Sequence, residues 1–170
     1  MSGKIRRPPL DLIQDMRFQR REWLIQRLGW FIGLLVLIAA LAGLFGYGPA
    51  SRSTASDPSR QLRIEYERFG RLDAAHEVSV WVEPPLFSGD QVEVWIDRGY
   101  IDAQQIDSIT PPPSSVEPGQ ERCTFIFPAP RGGDAAYIVF RMAPQKPGRY
   151  TGRVGAAGGP DLPLKTLIYP

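Results

Sequence analysis

The stretch Val78-Ser79-Val80-Trp81-Val82-Glu83 decides the fold: a branched apolar residue stands at every second position, with Ser, Trp and Glu in the gaps. A period of two puts successive side chains on opposite faces of an extended chain, so the run reads as a half-buried β-strand. The same alternation occurs upstream, where Leu62, Ile64 and Tyr66 interleave with Arg63, Glu65 and Glu67. It recurs downstream, where Val92, Val94 and Ile96 interleave with Glu93, Trp95 and Asp97. Four later runs, Cys123 to Phe127, Tyr137 to Met142, Arg149 to Val154 and Leu162 to Tyr169, are separated by Pro/Gly clusters such as Pro128 to Gly133 and Ala156 to Pro160. Seven short strands in about 110 residues predict a mainly β fold, an immunoglobulin-like antiparallel β-sandwich over 62–170. Between the third and fourth strands, Asp102 to Gln105 reads as a helical turn. Ile106 to Thr110 reads as a short edge strand ended by Pro111, Pro112 and Pro113.

Upstream of the strands, residues 48–61 are rich in Ser, Pro, Ala and Gly without hydrophobic period, which marks a tether. Before it, Leu28 to Tyr47 reads LGWFIGLLVLIAALAGLFGY and carries no charge. Its length suits a crossing of roughly 30 Å of hydrocarbon as one transmembrane α-helix. Trp23 and Trp30 at one end and Tyr47 at the other suit the two interfaces. The leader 1–27 holds Lys4, Arg6, Arg7, Arg17, Arg20, Arg21 and Arg27 against Asp11, Asp15 and Glu22, and the flank after the span is nearly neutral. Positive charge stays on the cytoplasmic side, so the expected topology is N-terminus in the cytoplasm and C-terminal domain outside. A cleaved signal peptide is the rival reading. The long leader, the long apolar core and the poor cleavage site at Gly48-Pro49-Ala50 argue for retention as an anchor.

Within the leader, Pro8-Pro9 followed by Asp11 reads as the start of an interfacial helix, with Arg17, Arg20 and Arg21 beside anionic headgroups or simply setting topology. In the span, Gly29/Gly33 and Ala39/Gly43 have the small-xxx-small spacing that lets two membrane helices approach. Plain lipid-facing glycines account for the same spacing more simply.

The exported part is slightly acidic, which argues against a nucleic-acid partner. A lone cysteine, Cys123, excludes an intramolecular disulfide and any zinc site built on several cysteines. It alternates in phase with Phe125 and Phe127 and reads as a small core residue. The single histidine, His76, stands at the start of a strand beside Glu77 and reads as a solvated strand end. No phosphate loop or dinucleotide fingerprint is present, and Gly132-Gly133 and Gly158-Gly159 are turn punctuation. The chain is therefore expected to be no enzyme and to take no cofactor and no metal.

Pro147-Gly148-Arg149-Tyr150-Thr151-Gly152-Arg153-Val154 resembles the turn and strand of immunoglobulin-like and fibronectin-like bacterial modules, in which a Tyr entering the penultimate strand packs at the sandwich corner. The linker Gly46-Tyr47-Gly48-Pro49-Ala50, the strand Leu62 to Phe69 and the C-terminal Ile168-Tyr169-Pro170 are similar to those of uncharacterised small bacterial single-pass membrane proteins. That resemblance implies an inner-membrane protein with a periplasmic domain, whose neighbour is a multi-span membrane protein of the YetF-like class. It supports architecture rather than activity.

With the valines inward, Trp81 points out, as do Ile126, Tyr137 and Val139. In an immunoglobulin-like order their strands share one sheet, so the four form a candidate interaction patch. On the other sheet Trp95 is expected beside Arg153 and Lys165. The resulting expectation is a membrane-tethered, non-enzymatic accessory or scaffold subunit in contact with the lipid bilayer and another envelope or inner-membrane protein. The alternative is a cell-wall or carbohydrate-binding module, with Trp81, Trp95 or Phe87 stacking on sugar rings.

Overall fold

The computed structural model describes residues 16–41, with side chains from residue 21 onward, and residues 51–170. The chain divides into two compact units, Met1–Ala39 and Ala40–Pro170. The first contains nearly all of helix α1, Met16–Leu41. No proline interrupts this segment, and Leu, Ala, Arg and Gln are strong helix formers. Its stretch Arg21–Leu41 has a mean hydropathy of 2.1 over the most apolar window. At about 1.5 Å per residue that is long enough to cross a bilayer. Apolar side chains cover its whole circumference, Trp30 being 75% and Leu41 77% exposed. This is the pattern of a helix that meets apolar surroundings on every side. A single apolar helix near the N-terminus serves as a membrane anchor or a signal sequence. The interfacial helix expected from Pro8-Pro9, the tail of the span from residue 42 to 47, and Gly43 lie outside the described residues.

Among the described residues, the second unit is an immunoglobulin-like β-sandwich of eleven strands. The five-stranded sheet has the order β1 (Arg52–Ser56), β2 (Leu62–Glu67), β4 (His76–Val82), β9 (Ala136–Pro144), β6 (Gln104–Thr110). The six-stranded sheet runs β3 (Phe69–Arg71), β11 (Asp161–Tyr169), β10 (Gly148–Ala156), β5 (Gln91–Asp97), β8 (Arg122–Pro128), β7 (Ser115–Pro118). Every pairing is antiparallel except that of β11 with β3. The inner faces are the alternating residues of the sequence pattern: Ile64, Val80 and Phe140 from one sheet meet Val94, Phe125 and Leu164 from the other, all at most 1% exposed. Phe140 is the hinge of this core, packing edge-on against Phe125 at 5.0 Å and Phe127 at 6.3 Å.

The structure departs from the sequence reading at several elements, among them the short strand β3 and its parallel pairing with β11. Arg52–Ser56, assigned to the tether, is strand β1, because Ser53 and Ala55 are small enough to tuck under the sandwich opposite Tyr66 and Ile64. The helical turn is Arg98–Ile101 (α2), earlier than expected, and Gln104 already belongs to β6. Strand β7 has no buried residue and no apolar alternation to announce it. Finally, the strand of Ile126, β8, pairs with β5 through Val94↔Phe125 and so lies in the other sheet from β4 and β9.

At the start of the penultimate strand, the Tyr150 hydroxyl donates to Lys146 O at 2.9 Å and ties the strand to the turn before it.

Candidate interaction surface

The outer face of the five-stranded sheet is built in rungs. On β2, β4 and β9 the partners Arg63↔Trp81 and Trp81↔Tyr137 align three large side chains in one row. The Arg63 guanidinium lies 4.0 Å from the Trp81 ring centroid, and the Tyr137 ring lies 4.8 Å away on the other side, tilted by 31°. Because Arg63 and Tyr137 come from strands flanking β4, both faces of the Trp81 ring are occupied. Tyr137 itself remains 51% exposed.

The next rung carries Glu65, Ser79 and Val139 in register. The Ser79 and Tyr137 hydroxyls share a hydrogen bond at 3.3 Å. Beyond it, Glu77 faces Arg141 on β9. Glu67 is the neighbouring carboxylate. Burial, outweighing the nearby Arg52 guanidinium and reinforced by Glu77, raises its pKa above the usual range. A depression of about 240 Å³ opens here, lined by Arg52, Glu65, Glu67, Glu77, Ser79, Trp81 and Tyr137 among others, with the Arg52 guanidinium already 3.9 Å from Glu65. With three glutamates to that one arginine, the depression beside the aromatic edge is suited to receive a further cationic side chain.

Of the four residues proposed as a patch, the structure brings together Trp81, Tyr137 and Val139. Ile126 is elsewhere, half-buried between Glu93 and Ser115 on the outer face of the six-stranded sheet. Period two tells which face of a strand is apolar but not which sheet the strand joins. Arg63 and Ser79 join the group where Ile126 does not, and only the register reveals them. Of the helix positions, Gly29 and Gly33 have open space around them, and Ala39 is half-buried on the same helix.

Trp95 is clamped in the same way as Trp81, by Arg122 at 4.5 Å rather than by Arg153 or Lys165. Its other face lies on Gly155, where a Cβ would come within 2.5 Å of the ring. Arg153 instead pairs with Asp161 at 2.8 Å. Phe87 is packed against the core.

His76 is buried, not solvated: it is 2% exposed, and neither ring nitrogen has a partner. It shares the inward phase of Val78 and Val80, and desolvation lowers its pKa to about 4, so it is neutral. Gln104 Oε1 is likewise buried without a partner, whereas the Tyr100 and Thr166 hydroxyls bond at 3.1 Å across the interior. Cys123 is buried, and burial pushes its thiol pKa up, away from reactive thiolate. Among the described residues no three His, Cys, Asp or Glu side chains group as a metal cage.

No protein-family model and no curated protein matches this chain. Among solved structures, it is similar to a cohesin module from a family 33 glycoside hydrolase of Clostridium perfringens, with 13% identity and a TM-score of 0.38, covering 69% of this chain and 96% of that one. The likeness is too slight to carry a function across.

Proposed function

We infer that this chain is a membrane-tethered, non-enzymatic interaction module, an accessory or scaffold subunit whose sandwich binds another envelope or inner-membrane protein. The partner class we favour is a multi-span membrane protein, held by the outer face of the five-stranded sheet. The observation that carries the reading is the Arg63–Trp81–Tyr137 row with Tyr137 half exposed. Aromatic residues and Arg, pre-packed and rimmed by charge, are the side chains on which protein contacts concentrate their energy. The three glutamates of the depression beside the row outnumber its one arginine, which favours a partner that presents a Lys or Arg. A sugar-stacking role has less support, since Trp81 and Trp95 each have both ring faces covered.

Copurification of the full-length chain in mild detergent, with mass spectrometry of what accompanies it, tests the reading. A single membrane protein recovered stoichiometrically with wild type and lost with Tyr137→Ala is the expected result. Equal recovery with both chains would refute this face as the contact.

A further inference from the structure

A second surface is chemically the opposite of the first. Between β1, the edge of one sheet, and β11, near the edge of the other, runs a groove of about 590 Å³. Arg68, Arg149 and Lys165 line it together with Ala55, Phe69 and Leu167, and no carboxylate does. The three cations are exposed, and none is ion-paired among the described residues. Leu167 is 37% exposed, and Phe69, which stacks with Tyr169, adds a second apolar side chain to the lining.

An extended peptide would enter such a groove by adding a strand to β11, but that edge offers it few rungs. The Leu167 N–H points away from β10 and is already given to Arg68 O at 2.7 Å. By the period of two, Pro163 and Lys165 direct their backbones the same way, and since Pro163 has no N–H to offer, only the Lys165 N–H is left for a ladder. A phosphate needs no such rungs, only guanidinium and ammonium donors, and its attached methylenes find Phe69 and Leu167.

The groove also lies where the chain enters the sandwich. The Ser51 hydroxyl donates to Phe69 O at 3.1 Å, and the Arg68 N–H donates to Ser51 O at 2.6 Å. In sequence, Ser51 stands ten residues after Leu41, the last described residue of the apolar helix.

We propose that this groove binds the phosphate headgroup of an anionic phospholipid, with Arg68, Arg149 and Lys165 as its donors and Phe69 and Leu167 against its glycerol and first methylenes. The proposal rests on the helix acting as an anchor, and the test reports on that separately.

The full-length chain is placed in nanodiscs of phosphatidylcholine with and without phosphatidylglycerol, and amide exchange is followed along β11 and β3. Exchange at Lys165 to Leu167 and at Phe69 is expected to slow at least about fivefold in the anionic discs. The difference should vanish in the triple variant Arg68→Gln/Arg149→Gln/Lys165→Gln, whose changes are all at exposed positions, and should persist in Arg68→Lys. Identical exchange in both discs overturns the proposal. So does equal slowing in neutral discs by inorganic phosphate, which would make this a free-anion site, or by polyglutamate, which would make it an acidic-peptide site. Loss of the chain from the discs during size exclusion would instead overturn the anchor reading.

Discussion

Trp81 and Tyr137 face one another across β4 and β9 with ring centroids 4.8 Å apart, and the hydroxyl of Tyr137 reaches back to Ser79 on the strand that carries Trp81. The two side chains are therefore coupled in stability as well as in exposure. A double-mutant cycle of Trp81→Ala and Tyr137→Ala, read by chemical denaturation, should give a coupling energy of about 0.5–1.5 kcal/mol. A coupling near zero would mean that the rings touch without sharing energy.

His76 makes the fold acid-sensitive in a defined window. Its folded pKa of about 4 lies below the ordinary 6.5, so between these values the unfolded chain holds the extra proton. Stability is complete above the upper value and falls as pH drops toward the lower one, by on the order of 3 kcal/mol in all. Glu67 works in the opposite sense. Its raised folded pKa favours the protonated fold, so it adds stability on acidification. Thermal melts across this range in a Glu67→Gln background should slope steeply with His76 and be flatter with His76→Leu. That variant should also be more stable at neutral pH, because two unpartnered buried nitrogens are removed.

Gly155 is held small by Trp95. A Cβ there would lie 2.5 Å from the indole, so Gly155→Ala should cost about 1–3 kcal/mol. In a Trp95→Ala background the same change should be close to neutral. If the cost survives in the double variant, the constraint lies in the backbone and not in the ring.

The Tyr150 hydroxyl has one backbone acceptor, Lys146 O. Tyr150→Phe should lower stability by about 0.5–1.5 kcal/mol in equilibrium unfolding. Unchanged stability would show the turn to be held by ring packing alone.

Most of the sandwich was legible because Leu62 to Tyr66, Val78 to Val82 and Val92 to Ile96 carry large apolar residues at every inward position. Strand β1 was not, since its inward residues, Ser53 and Ala55, give no hydrophobic signal. The sheet to which β8 belongs is a long-range property, set by the pairing of Phe125 with Val94 rather than by anything near Ile126. The same limit explains why Arg122 and not Arg153 covers Trp95: the neighbour across strands depends on register. His76 was within reach. Extending the Val78–Val80–Val82 phase by one rung puts it inside, and its place at a strand end obscured that.

The chain between β5 and β8 leaves the six-stranded sheet through α2, runs along the far edge of the other sheet as β6, and returns to the far edge of the first as β7. One continuous thread is thus stitched into the outer seam of both layers. The layers cannot be peeled apart like two leaves without unpicking that seam, so the sandwich should yield to heat or to a pull on its ends as one piece.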